Sequence, residues 1–378
     1  MSSPGPIPVS RLAARRFLRH ALGLEKSHPT VAAALAHHGY VQIDTINVCG
    51  LMQDLILRNR VTGYREGDLM RHLHGDSTPL PAAERTAFEH HHPDTHVLVA
   101  FPLEAWPHLL AAMRTRPRRH GAWSGKLTLR EHELAPHILS EIAARGPLSS
   151  GDIADQRRAR RSVWGSASLA KSTLQKLFFH GRVLISRRDG NRRLYDLPER
   201  VLPAAVLAAP EPTLAETSRW LALLKLRQRR LATLKRTELE LLADQVQRVT
   251  VDGADCLSLF CLREDTPLLD EIQNRESEIE NPPSPLLLAP LDPLIYDRRV
   301  TAILWDFTYT WEAYTPPHKR TRGYYALPIL DGTEVVGHVE PKADRKAEKL
   351  RVTSRRVRRG HAVAPALREL SRWLGLRP

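Results

Sequence analysis

The stretch Val183-Leu184-Ile185-Ser186-Arg187-Arg188-Asp189-Gly190-Asn191-Arg192-Arg193-Leu194-Tyr195-Asp196-Leu197 decides how this chain folds. Its two halves alternate apolar and polar residues like strands. Asp189-Gly190-Asn191 between them is a strong hairpin signal, because a tight turn needs residues that tolerate positive φ. Just upstream, Ser168 to His180 reads as a helix with Leu169, Leu174, Leu177 and Phe178 at helical spacing, stopped by Gly181. Further upstream, Leu134 to Arg145 is an apolar-periodic helix ending at Gly146-Pro147, and Ser149/Ser150 cap a short helix through Asp155. Helix, short helix, longer helix, hairpin is the order of a winged helix. That helix-turn-helix variant inserts its third helix into a DNA major groove and lays the wing on the backbone.

The pattern recurs on both sides. From about 210 to 265, helices at Thr217–Leu226 and Arg236–Ala243 precede a second hairpin, Val246–Val251 and Cys256–Cys261 around Asp252-Gly253. Residues 8–130 read as a third, more modified copy. They hold helices at Val9–Leu24 with Ser10 as N-cap, Thr30–His38 stopped by Gly39, Asp54–Arg60, Asp68–His74 and Leu103–Arg114, broken at Pro117. The copies share architecture only, with no sequence repeat at a fixed period. Residues 271–285 are acidic, then Pro-rich, like a linker. Beyond them, Thr308–Tyr314, Arg322–Leu330 and Glu334–Val339 suggest a small antiparallel sheet or barrel, closed by a helix at Ala364–Leu374. The expected fold is α+β: winged-helix modules at 8–130, 131–205 and 210–265, then a β-barrel-like domain with a terminal helix at 284–378.

Among 378 residues, 56 Lys and Arg outnumber 42 Asp and Glu, giving a formal charge of +14 and a pI near 10.1. Such a balance points to nucleic acid or an anionic membrane. No apolar run approaches the roughly 18 residues of a membrane span, and Met1–Pro8 has no secretory h-region. Cys49, Cys256 and Cys261 are an odd number without C-x-x-C spacing, which fits a reducing cytoplasm. The basic excess is concentrated: residues 151–200 hold 12 Lys and Arg against five acids, and residues 312–360 hold 12 against six. A solvated face would account for either patch alone. Two patches with helix-turn-helix syntax favour double-stranded DNA. Arg157, Arg158, Arg160, Arg161, Lys171, Arg187, Arg188, Arg192, Arg193, Lys319, Arg320 and Arg322 are the expected DNA contacts. The expected setting is a monomer on the nucleoid.

Chemistry is concentrated at Val41-Gln42-Ile43-Asp44-Thr45-Ile46-Asn47-Val48. In an extended segment Ile43 packs inward while Gln42 and Asp44 share the polar face. An acceptor beside an amide can hold and polarise one water. On its own the bare triplet reads more readily as a surface strand or helix cap with two ordinary polar residues, because the pattern is common by chance. His90-His91-His92 is a poor metal set, since neighbouring side chains diverge and only His96 stands at ligand spacing from His92. No Walker sequence, Rossmann glycine pattern, nucleophile elbow or deaminase signature is present. Neither a metal nor a cofactor is expected.

These residues resemble the bacterial winged-helix DNA glycosylases of the YcaQ/AlkZ type, which excise alkylated bases and unhook interstrand crosslinks. Gln42-Ile43-Asp44 matches their Q-x-D signature. Further matches are Ser284-Pro285-Leu286-Leu287 through Leu291-Asp292-Pro293-Leu294-Ile295-Tyr296-Asp297-Arg298, Arg322-Gly323-Tyr324-Tyr325-Ala326-Leu327-Pro328, and Val336-Gly337-His338-Val339 leading to Lys342-Ala343-Asp344-Arg345-Lys346. The resemblance implies three winged-helix modules and a C-terminal β-barrel in a clamp on damaged duplex DNA. It implies Asp44 and Gln42 as the catalytic pair. Many relatives carry an Arg and a His-His pair after the motif, where this chain has Leu51, Gln53 and Asp54, which marks a divergent branch. An N7-alkylguanine is already cationic and leaves without a general acid, so an anion at the sugar and a held water suffice. No Lys lies beside the motif for a Schiff base, so a monofunctional glycosylase is expected. The alternative is a non-catalytic winged-helix DNA-binding protein or regulator. A protein–protein adaptor fits the basic patches less well.

Overall fold

The computed structural model describes residues 5–76, 78–155, 157, 168–274 and 284–377. It is a mixed α+β chain that divides into two compact units, one of residues 1–39, 44–66 and 218–378, the other of 40–43 and 67–217. The second unit is therefore an insertion in the first, joined to it twice within residues 39–44.

In the inserted unit, Val41–Gln42, Leu98–Pro102 and Ala87–His91 form a three-stranded antiparallel sheet. The order expected at 131–200 is present in outline. Helices Leu129–Arg145 and Leu169–Phe179 precede a hairpin of Leu184–Asp189 and Arg192–Asp196. Asp189 pairs with Arg192, so the turn is Gly190-Asn191, with Gly190 at φ +56°. The first helix starts five residues earlier than its apolar period suggests. Thr128 and Glu131 form a reciprocal capping box there. Glu131 also accepts from Lys176 Nζ at 2.7 Å and Ser172 Oγ at 2.5 Å, which pins this helix to the next. The short helix expected from Ser149 to Asp155 does not form. Asp152 accepts from Ser149 N and Oγ at 2.9 and 2.7 Å, and that local turn competes with helical bonding.

The larger unit holds two four-stranded sheets. One has the spatial order Ile7–Val9, Val246–Val251, Leu259–Leu262, Ala232–Thr233. The hairpin at Asp252-Gly253 is thus real, but the sheet gains an edge the sequence did not announce. Ile7–Val9 runs parallel to Val249–Val251, and the helix expected from Val9 begins only at Arg11, capped by Ser10. The other sheet runs Leu286–Leu287, Leu327–Asp331, Glu334–Asp344, Lys349–Val357. The barrel expected in the C-terminal part is not closed among the described residues. Lys349–Val357 is the edge strand, laddered to Glu334–Asp344 and otherwise joined by a single bridge from Lys349 to Arg377, which leaves an open sheet. Its inner face packs Leu327, Ile329, Val336 and Val339 against Met52, Leu55 and Ile56 and against Ala366 and Leu370 of the helix Ala364–Trp373.

In the inserted unit, Glu89 is buried on the strand Ala87–His91 and takes Arg188 Nε at 2.6 Å and His74 Nε2 at 2.6 Å. Burial pushes this carboxyl up, but Arg188 and His74 outweigh it and hold it well below the usual carboxylate range. Its stabilisation is complete above the unfolded Glu value of about 4.3 and is lost as pH falls below it. Glu89→Ala strands the Arg188 guanidinium in the interior. It should cost about 3–5 kcal/mol in urea unfolding at pH 7, with a smaller penalty at acid pH.

Candidate active site

The segment after Gly39 begins as a strand and ends as a turn. Val41 and Gln42 pair with Ala100 and Val99, and Ile43 N–H donates to Leu98 O at 2.9 Å. Burial alternates as the sequence implied: Val41 and Ile43 are buried, Gln42 and Asp44 half-exposed. Extension then stops, because Asp44 Oδ1 accepts the Ile46 N–H at 2.7 Å in a side-chain-closed turn. Asp44 Oδ2 accepts no hydrogen bond among the described residues.

What holds Asp44 is a residue that read as a departure in sequence. Gln53 is buried on the helix Met52–Leu57, and its Oε1 accepts the Asp44 N–H at 3.2 Å. Every residue of that helix is buried, because it is embedded in the core of the C-terminal sheet. Asp54 beside it accepts Tyr64 OH at 2.6 Å. Gln53 and Asp54 are therefore interior residues that build the floor under the motif. Its i+9 separation from Asp44 carries no periodic signal, so only the fold could reveal the role of Gln53.

Burial pushes the Asp44 carboxyl above its ordinary value, and the Ile46 N–H pulls it back only in part. An aromatic cluster lies within reach of its charge. Burial raises the phenols of Tyr314 and Tyr325, and Asp44 adds to both effects. The Trp311 ring meets Tyr314 edge-on at 5.7 Å and Tyr325 at 6.0 Å, and the Arg320 guanidinium covers Tyr324 at 4.9 Å. Tyr314 is 66% exposed, a large apolar face open to solvent near a carboxylate. The sequence reading passed over these rings, although Tyr324-Tyr325 lay within a matched motif.

The basic residues separate by what already engages them. Lys171 and Lys319 are exposed, and Arg187 and Arg193 half-exposed. Arg192 pairs with Asp152 at 2.6 Å and Arg157 with Asp155 at 2.6 Å, each on the surface. Arg320 donates to Thr315 O at 2.8 Å and Arg322 to Thr308 O at 2.7 Å. Arg188 faces the interior against Glu89, which removes it from the solvent face of its hairpin. Arg158, Arg160 and Arg161 lie outside the described residues.

Of the histidines, His90 and His91 are core residues. His90 Nε2 bonds Phe178 O at 2.9 Å, and His91 stacks on Phe179 at 3.7 Å. A different trio, His28, His37 and His38, has the reach to hold a metal. Burial comes first in lowering all three, with Arg60 and Arg230 adding to it; His37 is brought to about 4. All three rings are therefore neutral at pH 7. No sequence rule drew attention to them, since one lies on a loop and the other two are helix neighbours.

A family profile described as DNA glycosylase AlkZ-like matches residues 35–374. The chain belongs to the AlkZ-like DNA glycosylases. Among solved structures it is similar to the Streptomyces sahachiroi DNA glycosylase AlkZ, with a TM-score of 0.62 over 98% of each chain at 17% identity. At that identity the likeness speaks for the fold, and the profile match carries the family. As a member of a DNA-repair glycosylase family, this AlkZ-like chain has DNA as its substrate. None of its helices is long and apolar enough to cross a membrane, among the described residues.

The raised Asp44 carboxyl has a consequence for stability. Stability linked to its protonated form is complete below the unfolded Asp value of about 3.9 and is lost as pH rises through the higher folded value. Asp44→Asn removes that loss. Thermal melts of this AlkZ-like glycosylase at pH 7 should show the variant more stable than the wild type, with the two converging below about pH 4.

Proposed function

We propose that this chain is a monofunctional DNA glycosylase that hydrolyses the N-glycosidic bond of N7-alkylguanine-type bases, crosslinked ones included, in duplex DNA. The observation that carries this reading is the Asp44 carboxylate: half-buried, raised above its ordinary value, and with its backbone N–H fixed by the interior residue Gln53. A structural aspartate would have its charge neutralised; this one is poised. The C1′–N9 bond breaks heterolytically, and its electron pair neutralises the cationic base as it leaves. Asp44 opposes the developing oxocarbenium charge, then takes a proton from the water whose oxygen bonds to C1′. Gln42 orients that water or an adjacent phosphate. Free base and an abasic site are the products.

The helix–helix–hairpin segments act as winged-helix modules on the duplex. Lys171, Arg187, Arg193 and Lys319 reach phosphates directly. Arg157, Arg192, Arg320 and Arg322 exchange their present partners for phosphate, and Arg158, Arg160 and Arg161 are proposed as further phosphate contacts on their basic sequence run alone. Such contacts give little sequence preference and a salt slope of about −0.9 per phosphate neutralised. Reversing the charges of Lys171, Arg187 and Arg193 together should weaken binding uniformly across sequences and flatten that slope, read by fluorescence anisotropy at several salt concentrations.

The catalytic test uses duplexes carrying one N7-methylguanine, scored by released base and by alkali-labile abasic sites. Asp44→Asn should lower the single-turnover rate by about 10²–10⁴-fold with little change in DNA affinity. The wild-type rate should fall on an acid limb that lies above the ordinary Asp range and is absent from the variant. Gln53→Ala, a positioning variant, should lose about 10- to 100-fold in rate and keep the acid limb. Borohydride should trap no protein–DNA adduct. No excision by the wild type from any alkylated or crosslinked duplex, with equal DNA binding by Asp44→Asn, would establish a non-catalytic DNA-binding protein instead.

A further inference from the structure

Three imidazoles converge in the larger unit. His28, His37 and His38 each offer one ligand atom, and these atoms lie within 4.8 Å of one another. The ring centroids are 4.7 Å apart for His28 and His37, 4.9 Å for His37 and His38, and 5.8 Å for His28 and His38. His37 and His38 end the helix Val31–His38, where Gly39 turns the chain left-handed at φ +78°. His28 sits on the loop before that helix. Its backbone is fixed by its N–H to Arg60 O at 2.7 Å and by Thr62 N–H to its own carbonyl at 2.9 Å.

His38 is 1% exposed, and neither of its ring nitrogens has a hydrogen-bond partner among the described residues; the same holds for His28 Nε2. A buried donor or acceptor left without a partner is destabilising, so natural folds leave few of them. Three such nitrogens on adjoining rings are the pattern expected when lone pairs are kept for a ligand. We propose that His28, His37 and His38 form a three-imidazole site for a divalent transition-metal ion of the zinc class.

An all-imidazole donor set suits zinc, copper or nickel and excludes magnesium and calcium, which take oxygen ligands. Zn–N bonds of 2.0–2.1 Å put tetrahedral donors about 3.4 Å apart. Small rotations of the three rings close the distance, with a water completing the coordination. His37 Nε2 lies 2.7 Å from Ala21 O; donating its proton there leaves Nδ1 as ligand, the usual outer-shell orientation of a metal-bound histidine. Arg230 Nη2 stands equally close to that nitrogen; in this tautomer it directs its N–H to His37 O, 2.9 Å away, instead. The charge of the two nearby guanidiniums is offset in part by carboxylates. Arg60 is matched by Asp292 at 2.7 Å and Arg230 by Asp265 at 3.2 Å. The ion would clip the loop carrying His28 to the end of the helix Val31–His38. Its effect is on stability, and the proposed chemistry at Asp44 does not pass through it.

The test uses the full chain, stripped with chelator and titrated with Zn²⁺ and with Co²⁺ in metal buffers. One equivalent should bind, Co²⁺ should give the visible d–d bands of a tetrahedral nitrogen site, and the melting temperature should rise with free Zn²⁺. His28→Ala and His38→Gln should each weaken binding by more than about 10-fold, since even outer-shell partners cost that much. His318→Ala, at an exposed histidine elsewhere, should leave it unchanged. Circular dichroism checks that the variants fold; if His38→Gln does not, His28→Ala on its loop still decides. Failure of the wild type to bind one equivalent overturns the site, as does unchanged affinity in a folded His28→Ala protein.

Discussion

The buried pair of Arg60 and Asp292 is the interaction on which the larger unit depends. Both side chains are fully buried, and the guanidinium grips both carboxylate oxygens at 2.7 and 2.8 Å. Arg60 also donates to Leu22 O at 2.9 Å and Ile56 O at 3.0 Å, while Asp292 caps the Leu294 N–H at 3.0 Å. A desolvated ion pair is tolerable only when such extra bonds satisfy it. Here they join the end of the helix Arg11–Ala21, the helix Met52–Leu57 and the turn entering the C-terminal sheet. Asn59 adds a bond to Leu287 O at 3.0 Å. The helix fixed in this way carries Gln53, and Gln53 holds Asp44. The position of the Asp44 carboxylate is thus inherited from a charge pair buried in another part of the unit.

That chain of dependence explains which features the sequence exposes. Helix limits set by local chemistry were readable: Ser10 caps its helix as expected, the helices expected from Thr30 and Ser168 begin just after those residues, and Gly39 and Gly190 adopt the positive φ their turns need. The hairpin at Leu184–Asp196 follows from alternation and a two-residue turn. The alternating burial of Val41, Gln42, Ile43 and Asp44 was legible from the extended pattern of the segment. Features made by distant residues were not. Ile7–Val9 is too short to show a period, and its partner lies beyond residue 245. Gln53 read as a missing family residue because its worth lies in one bond to a backbone nitrogen. Arg188 read as a phosphate contact because the sequence does not show that Glu89 faces it.

Asp44 is held where its charge is costly, and among the described residues the Ile46 N–H is the one hydrogen bond its carboxylate accepts. Elsewhere the fold neutralises buried carboxylates thoroughly: Glu89 has two partners, Glu131 has Lys176, Ser172 and its own cap, and Asp292 has Arg60. Strain of this kind persists only where the surrounding structure over-determines it. The fully buried helix under Asp44 supplies that constraint.

The parallel pairing of Ile7–Val9 with Val249–Val251 bears on how the chain is made. A ribosome releases residues 40–217 before the partner strand of Ile7–Val9 exists. Most of the inserted unit, residues 67–217, is one continuous segment and can therefore condense during synthesis. The larger unit cannot. Its first strand, and the floor beneath Asp44, wait for segments translated some 200 residues later, and a chain stalled in between exposes apolar surface. Slow closure of these long loops, rather than helix or hairpin formation, should pace the folding of this protein.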